Sequence, residues 1–136
     1  YTLLFEGKIT EDKKDIIWTL SIYPTKVYLF GGCMKQTCDP WVFDENFALK
    51  APSDPSGKWE SPAFLASAEL RVAVKVGDLD WYRTEFTFNT KNGELFWRKN
   101  DIPENWAKTE GGDYSVTTTE GQKLYIDLDN YKAEVK

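Results

Sequence analysis

The stretch that decides the fold is Glu-Leu-Arg-Val-Ala-Val-Lys-Val, residues 69–76, because its large apolar side chains fall on every second position. In an extended chain Leu70, Val72, Val74 and Val76 lie on one face, since successive side chains of a strand point to opposite sides. Alternation of this kind predicts a half-buried strand, and one solvated face is typical of antiparallel sheet.

The same alternation of apolar and polar side chains recurs before and after this stretch. Asn92-Gly93 lies between two such runs and is the strongest hairpin signal in the chain. No long amphipathic helix is present, and only short helical turns are expected near 43–48 and 103–108. The pattern predicts an all-β chain folded as an antiparallel β-sandwich. The further predicted strands are 15–23, 26–30, 82–88, 94–98, 113–119 and 123–128.

The domain organisation is predicted as an N-terminal strand segment, 1–24, followed by a β-sandwich domain, 25–136. A chain of 136 residues is enough for one domain with a real core. Residues 1–6 share a pattern with 124–129, so 1–24 is either the tail of a preceding domain or a strand that packs on this one. The second reading is favoured, because four alternating apolar side chains need a sheet to cover them. These are Ile16, Trp18, Leu20 and Ile22.

Composition excludes several classes of function. The net charge of −5 leaves no basic stripe for nucleic acid. The chain has no His, which removes Ser-His and Cys-His nucleophilic pairs, and it has no Gly-rich phosphate loop. Nearly all of its acidic residues are expected in turns or on the solvated faces of strands. We therefore expect no catalytic residue, no cofactor and no metal. We expect no signal peptide within this sequence, and we expect it to be a piece of a larger protein.

The two cysteines, Cys33 and Cys38, form a Cys-x4-Cys pair. Without His or further Cys they cannot complete a tetrahedral zinc site. They are either a small disulfide-closed loop or two free thiols. In an exported protein we expect the disulfide.

The aromatic residues point to a ligand, because several tryptophans lie in polar, turn-rich sequence. Trp41, Trp81 and Trp106 each follow Asp, Asn or Pro, in a chain that is 15% aromatic. An indole offers a flat apolar face and an N–H donor, which suits a sugar ring. Trp59 is expected in the core, and Trp18 in the core or between domains.

The predicted binding residues centre on one segment. Trp97 and Trp106 bracket Arg98, Lys99, Asn100 and Asp101, which supply hydrogen-bonding groups between two rings. Trp81 and Trp41 complete the predicted ligand-binding set. Trp81 and Tyr82 are adjacent, so in a strand one ring would be buried and the other exposed.

Four motifs resemble a known family. They are Lys-Val-Tyr-Leu-Phe-Gly-Gly (26–32) with Asp-Pro-Trp (39–41), then Asp-Trp-Tyr-Arg-Thr-Glu-Phe-Thr-Phe (80–88), Gly-Gly-Asp-Tyr-Ser-Val (111–116) and Leu-Tyr-Ile-Asp-Leu-Asp (124–129). Together they are similar to the carbohydrate-binding domains of SusE/SusF-type surface lipoproteins of the Bacteroides starch utilisation system.

This resemblance implies tandem immunoglobulin-like sandwiches that bind α-glucan without catalysis. It also implies a place on the surface of the outer membrane, held by a lipid anchor in a region outside this chain, and other surface glycan-uptake proteins as partners. The alternative function is a structural spacer or protein-docking domain. In that case the aromatic side chains would be used for packing, and the tryptophans would be mostly buried.

Overall fold

The computed structural model describes residues 2–36, 41–54, 57–97 and 116–136. Short helical segments within these ranges are single 3-10 turns at Gly32–Met34, Glu45–Phe47 and Trp81–Arg83. In the same ranges no helix has the length and apolarity needed to cross a membrane. The strands are β1 Thr2–Ile9, β2 Ile16–Tyr23, β3 Val27–Phe30, β4 Lys58–Glu60, β5 Arg71–Val74, β6 Glu85–Phe88, β7 Leu95–Trp97, β8 Leu124–Asp127 and β9 Lys132–Val135.

The strands form two facing sheets and a separate hairpin. The first sheet has the order β3-β5-β6-β7, the second has the order β4-β8-β9, and β1 pairs only with β2. Every strand pair is antiparallel. The predicted all-β antiparallel sandwich is confirmed.

The main core lies between the two sheets. Leu70, Val72 and Val74 are buried there, as the alternation of residues 69–76 predicts. Trp59 of β4 is only 3% exposed, which confirms its predicted place in the core. Burying a large apolar side chain contributes about 1.5–3 kcal/mol, so this cluster carries most of the stability of the sandwich. Its other large members include Val27, Leu29, Phe64, Phe86, Phe88, Leu124 and Ile126.

A second, smaller cluster covers the outer face of the four-stranded sheet. Tyr28, Phe30 and Ala73 are buried in it, under a cover of Trp41, Phe43, Ala48 and Trp81. All four residues of β3 are therefore buried, two against the main core and two against this cover. The outer cluster is what positions the candidate site.

The hairpin β1–β2 differs from the expectation. Trp18 is 58% exposed and stacks on Phe5, with ring centroids 4.9 Å apart and planes within 4°. The expectation that Ile16, Trp18, Leu20 and Ile22 fill this sandwich is wrong, because all four are more than half exposed. The reason is topological: β2 takes its hydrogen-bond partners from β1, and neither strand joins the two sheets of the sandwich.

The remaining predicted elements are confirmed in part. The turn at Asn92-Gly93 connects β6 to β7, with Gly93 at φ +76. The predicted strand 82–88 begins instead with the turn Trp81–Arg83, and β6 starts at Glu85. Of the predicted strand 113–119, residues 113–115 lie outside the described residues, and Thr117 makes a single bridge to Glu69. The helical turn near 43–48 is confirmed at Glu45–Phe47, and that near 103–108 lies outside the described residues.

Candidate functional site

Two predicted binding residues, Trp41 and Trp81, come into contact on the outer face of the four-stranded sheet. Their ring centroids lie 4.7 Å apart and their planes are tilted by 55°. The Trp81 ring is supported from below by Phe30 at 5.6 Å. The ring of Tyr82 stands edge-on to Trp81 at 6.1 Å. We call Trp41, Trp81 and Tyr82 the aromatic surface.

The helical turn Trp81–Arg83 sets the directions of two of these rings. Thr84 closes it by donating its backbone N–H to the Trp81 carbonyl, and the Thr84 hydroxyl donates to the Val74 carbonyl at 2.6 Å. The turn is thereby fixed to β5. Trp81 points toward the sheet, whereas Tyr82 is 40% exposed. The prediction that one of the two rings packs and the other faces solvent is confirmed, although the backbone is a helical turn rather than a strand.

The segment that carries Trp41 is held by Phe43. The Phe43 ring packs edge-on against Tyr28 at 5.1 Å and against Phe30 at 5.2 Å. The Lys75 ammonium lies 4.4 Å from the centroid of the same ring, a favourable cation–π distance. Three separate contacts therefore fix the backbone two residues after Trp41.

A small polar network holds the far end of the same segment. The Glu45 carboxylate accepts hydrogen bonds from the Lys26 ammonium and from the Tyr28 hydroxyl, each at 2.6 Å. Both hydrogen bonds lower the pKa of Glu45, and the bond from Lys26 has the larger effect. Asp44 caps the turn that follows by accepting from the Asn46 backbone N–H.

A cation missing from the predicted set, Arg71, lies beside the aromatic surface. Arg71 is the cross-strand partner of Phe30, so both side chains share the outer face of the sheet. Its guanidinium donates to Glu85 at 3.0 Å and to Glu69 at 2.6 Å. Burial lowers the pKa of Arg71, but the charges and hydrogen bonds of Glu85 and Glu69 outweigh it, and the net shift is upward.

Two donors in this region lack an acceptor among the described residues. They are the Nε1 atom of Trp41 and the Nε atom of Arg71, both buried. A buried donor without an acceptor costs about 1–3 kcal/mol. Both atoms are closed to solvent in this structure, so the surface offers a ligand mainly its ring faces. In the described part of the chain no group of three or more His, Cys, Asp or Glu side chains is arranged to hold a metal ion.

Trp97 lies on a different surface. It pairs with Phe86 across β6 and β7, with ring centroids 4.8 Å apart, and Phe86 belongs to the main core. Trp97 therefore faces the opposite side of the sheet from Trp81. Its ring is 42% exposed and lines a groove of about 410 Å³ with Tyr23, Asp129 and Tyr131 among others.

The other members of the predicted site around Trp97 lie outside the described residues. They are Arg98, Lys99, Asn100, Asp101 and Trp106. Their part in binding stays a prediction.

Cys33 is buried and has no disulfide partner within the described residues. Its Sγ atom donates to the Phe30 carbonyl at 3.4 Å, and burial raises its pKa to about 12. Cys38 lies outside the described residues, so the predicted disulfide stays a prediction.

Comparison with known proteins leads to the same family that the sequence motifs resemble. Residues 26–134 match the family model of the SusF/SusE starch-specific CBMs, or carbohydrate-binding modules. The outer membrane protein SusF of Bacteroides thetaiotaomicron is 27% identical over 132 residues, which are 94% of this chain and 24% of that protein. The expected outer-membrane location agrees with the name of this relative.

The crystal structure of SusF from the same organism matches with a TM-score of 0.67 and 23% identity. The match covers 98% of this chain and 27% of the SusF chain. At that identity the likeness concerns the fold, and it agrees with the sandwich described above. The chain spans about a quarter of the length of these relatives.

Proposed function

The chain belongs to the SusF/SusE family of starch-specific carbohydrate-binding modules, and we propose that it binds an α-glucan chain, without cleaving it, at the aromatic surface. Stacking of sugar rings on Trp41, Trp81 and Tyr82 supplies most of the affinity. Burial of one apolar sugar face and a few hydrogen bonds favour binding, whereas association itself costs free energy. The balance gives dissociation constants of about 0.01–1 mM.

The observation that carries this proposal is the 55° tilt between the Trp41 and Trp81 rings. Two coplanar rings suit a flat, extended polysaccharide. Two tilted rings present apolar planes at an angle, which suits a chain that turns from one sugar to the next. An α-1,4-linked glucan curves in this way, whereas β-1,4-linked xylan and mannan are extended.

Polar groups around the rings support the same ligand. Arg71 lies next to Phe30, beneath Trp81, and Arg83 lies 5.7 Å from the Tyr82 ring centroid. Guanidinium N–H groups are hydrogen-bond donors that suit the hydroxyls at the edge of a stacked sugar. Hydroxyl oxygens accept such bonds without bringing a charge into the site.

The ion pairs of the two carboxylates around Arg71 favour binding over hydrolysis. Glycoside hydrolysis uses one carboxylic acid as proton donor and one carboxylate as base or nucleophile. Glu69 and Glu85 both bond to Arg71. Their role is then to orient and neutralise that guanidinium.

We place the module at the outer membrane surface, attached through a lipid anchor in a part of the protein outside this chain. Other surface glycan-uptake proteins are its proposed partners. The resemblance of the motifs and the name of the SusF relative support this location.

Affinity electrophoresis against starch, pullulan, xylan, dextran and mannan tests the proposal. We expect starch and pullulan, which contain α-1,4 linkages, to retard the protein. Xylan and mannan should leave its migration unchanged, and dextran shows whether α-1,6 linkages are accepted. Unretarded migration in every gel would exclude glycan binding by this chain.

The second candidate function is a spacer or protein-docking domain, and the exposed apolar hairpin β1–β2 favours it. Acrylamide quenching of tryptophan fluorescence separates the two functions. Protection of tryptophans by maltooligosaccharide supports glycan binding. Quenching that no oligosaccharide changes supports the spacer.

A further inference from the structure

The hairpin β1–β2 has one apolar face and one mixed face, on which Leu4 and Ile17 lie among polar side chains. The register pairs Leu3 with Ile22, Phe5 with Leu20, and Ile9 with Ile16, all on the face that also carries Trp18. Each of these seven side chains is more than half exposed. The opposite face carries mainly polar side chains, including Glu6, Lys8, Thr19 and Ser21.

An apolar face of this size requires a cover. The largest apolar patch of a typical monomer covers about 300–600 Å², and seven large, half-exposed side chains exceed it. An isolated two-stranded hairpin is also marginally stable in water. Leu20 and Ile22 line one groove with Trp97 of the sandwich, yet they stay more than half exposed. The described residues therefore leave this face largely uncovered.

The hairpin that ends this module, β8–β9, shows which cover fits. It too has one apolar face, on which Leu124 pairs with Val135 and Ile126 pairs with Ala133. Its other face pairs Tyr125 with Glu134 and Asp127 with Lys132. The apolar face of β8–β9 packs on the four-stranded sheet of its own sandwich.

The position of β1–β2 in the chain fits the end of such a unit. The family match begins at residue 26, after β2 has ended. Only residues 24–26 separate β2 from β3, so the hairpin is tied closely to the module without belonging to its sheets. The curated relative is about four times as long as this chain, which is room for several such units.

We propose that β1–β2 is the closing hairpin of a preceding β-sandwich unit of the same polypeptide, and that its apolar face covers the facing sheet of that unit. The surface is thus an interface within one protein. The inference does not depend on glycan binding by the module.

The test compares three proteins: residues 25–136, the chain 1–136, and the natural polypeptide extended before Tyr1. Fluorescence of each longer protein is measured with and without Trp18→Phe, so that the quenching of Trp18 by acrylamide is obtained by difference. We expect Trp18 to be quenched in the chain 1–136 and to lose most of that quenching in the extended protein. Residues 25–136 should keep a cooperative thermal transition.

A pair of substitutions adds a readout that an exposed hairpin would not give. In the extended protein Phe5→Ser should lower the melting temperature of the preceding unit and leave that of this module unchanged. Lys8→Ser, on the mixed face, is the matched control and should change neither. Equal quenching of Trp18 in both longer proteins, or loss of folding in residues 25–136, would overturn the proposal. So would a dimer of the chain 1–136 that shields Trp18, since the occupant would then be a second copy.

Discussion

The indole rings of Trp41 and Trp81 touch, with centroids 4.7 Å apart, and Trp81 rests in turn on Phe30. The two rings therefore form one supported surface. We expect Trp41→Ala and Tyr82→Ala each to weaken starch binding about tenfold, equivalent to about 1.4 kcal/mol. Retardation in starch gels measures the loss, with circular dichroism as the check on folding.

Tyr125→Ala is the matched control for those substitutions. Tyr125 lies on the three-stranded sheet, where the Lys136 ammonium covers its ring. Removing it should leave starch binding unchanged. A normal affinity in Trp41→Ala together with a strong loss in Trp97→Ala would move the site to the predicted segment around Trp97.

Arg71 is expected to stabilise the fold through Glu85, which is 1% exposed. Arg71→Met leaves that carboxylate without its guanidinium partner and should lower the free energy of unfolding by about 1–3 kcal/mol. Arg71→Met with Glu85→Leu should recover part of the loss, because both charges are then removed. Urea unfolding measures the difference. Equal stability of Arg71→Met and the wild type would contradict the assigned role of the pair.

Acid should destabilise the protein through its ion-paired carboxyls. Hydrogen bonds from Lys123 and Lys26 lower the pKa values of Glu60 and Glu45, respectively. A lowered pKa in the folded state contributes stability above the ordinary value near 4.5 and loses it as the pH falls through the folded value. With no His, the melting temperature should be flat from about pH 5.5 to 7 and fall below about pH 4.5. A titration step near pH 6.5 would contradict this.

Gly93 should resist substitution for two separable reasons. Its φ is +76, and a Cβ built there would lie 2.6 Å from the Ala133 carbonyl oxygen. Gly121 has φ +88 and open space around it, so Gly121→Ala measures the backbone strain alone. We expect about 1 kcal/mol for Gly121→Ala and about 2–3 kcal/mol for Gly93→Ala. Similar losses in the two variants would show that the contact with Ala133 costs nothing.

Cys33 should be unreactive until the protein unfolds, because the thiolate is the reactive form and the pKa is raised to about 12. In a Cys38→Ser variant, a thiol reagent should find no reactive group in the native protein and one after denaturation. Rapid reaction in the native variant would contradict the burial. The non-reduced, denatured wild type then decides the pairing: no thiol means a disulfide, and two thiols mean free cysteines.

Local alternation was enough to predict most strands of the sandwich. Residues 69–76 and 123–128 place an apolar side chain at every second position, and β5 and β8 lie within them. β9 was not predicted, because its only apolar residues are Ala133 and Val135. The sequence predicts strand where the turn Trp81–Arg83 lies, because aromatic residues favour strands.

The candidate site was harder to predict because its members meet only through tertiary packing. Polar neighbours single out Trp41 and Trp81 separately, and nothing in the local sequence indicates that the two rings touch. Arg71 had a usable signal: it is a cation within the alternating stretch 69–76, opposite the buried Val positions. Its position next to Phe30, however, follows from the pairing of β3 with β5, which local sequence does not reveal.

Alternate residues of β3 belong to the main core and to the outer cluster beneath the aromatic surface. The proposed binding face is therefore coupled to the interior of the sandwich through a single strand. A ligand meets a preformed shape and spends little free energy on ordering the protein, so the entropy lost on binding falls mainly on the flexible glycan. Longer oligosaccharides should then gain affinity from added contacts rather than from a change in the shape of the module.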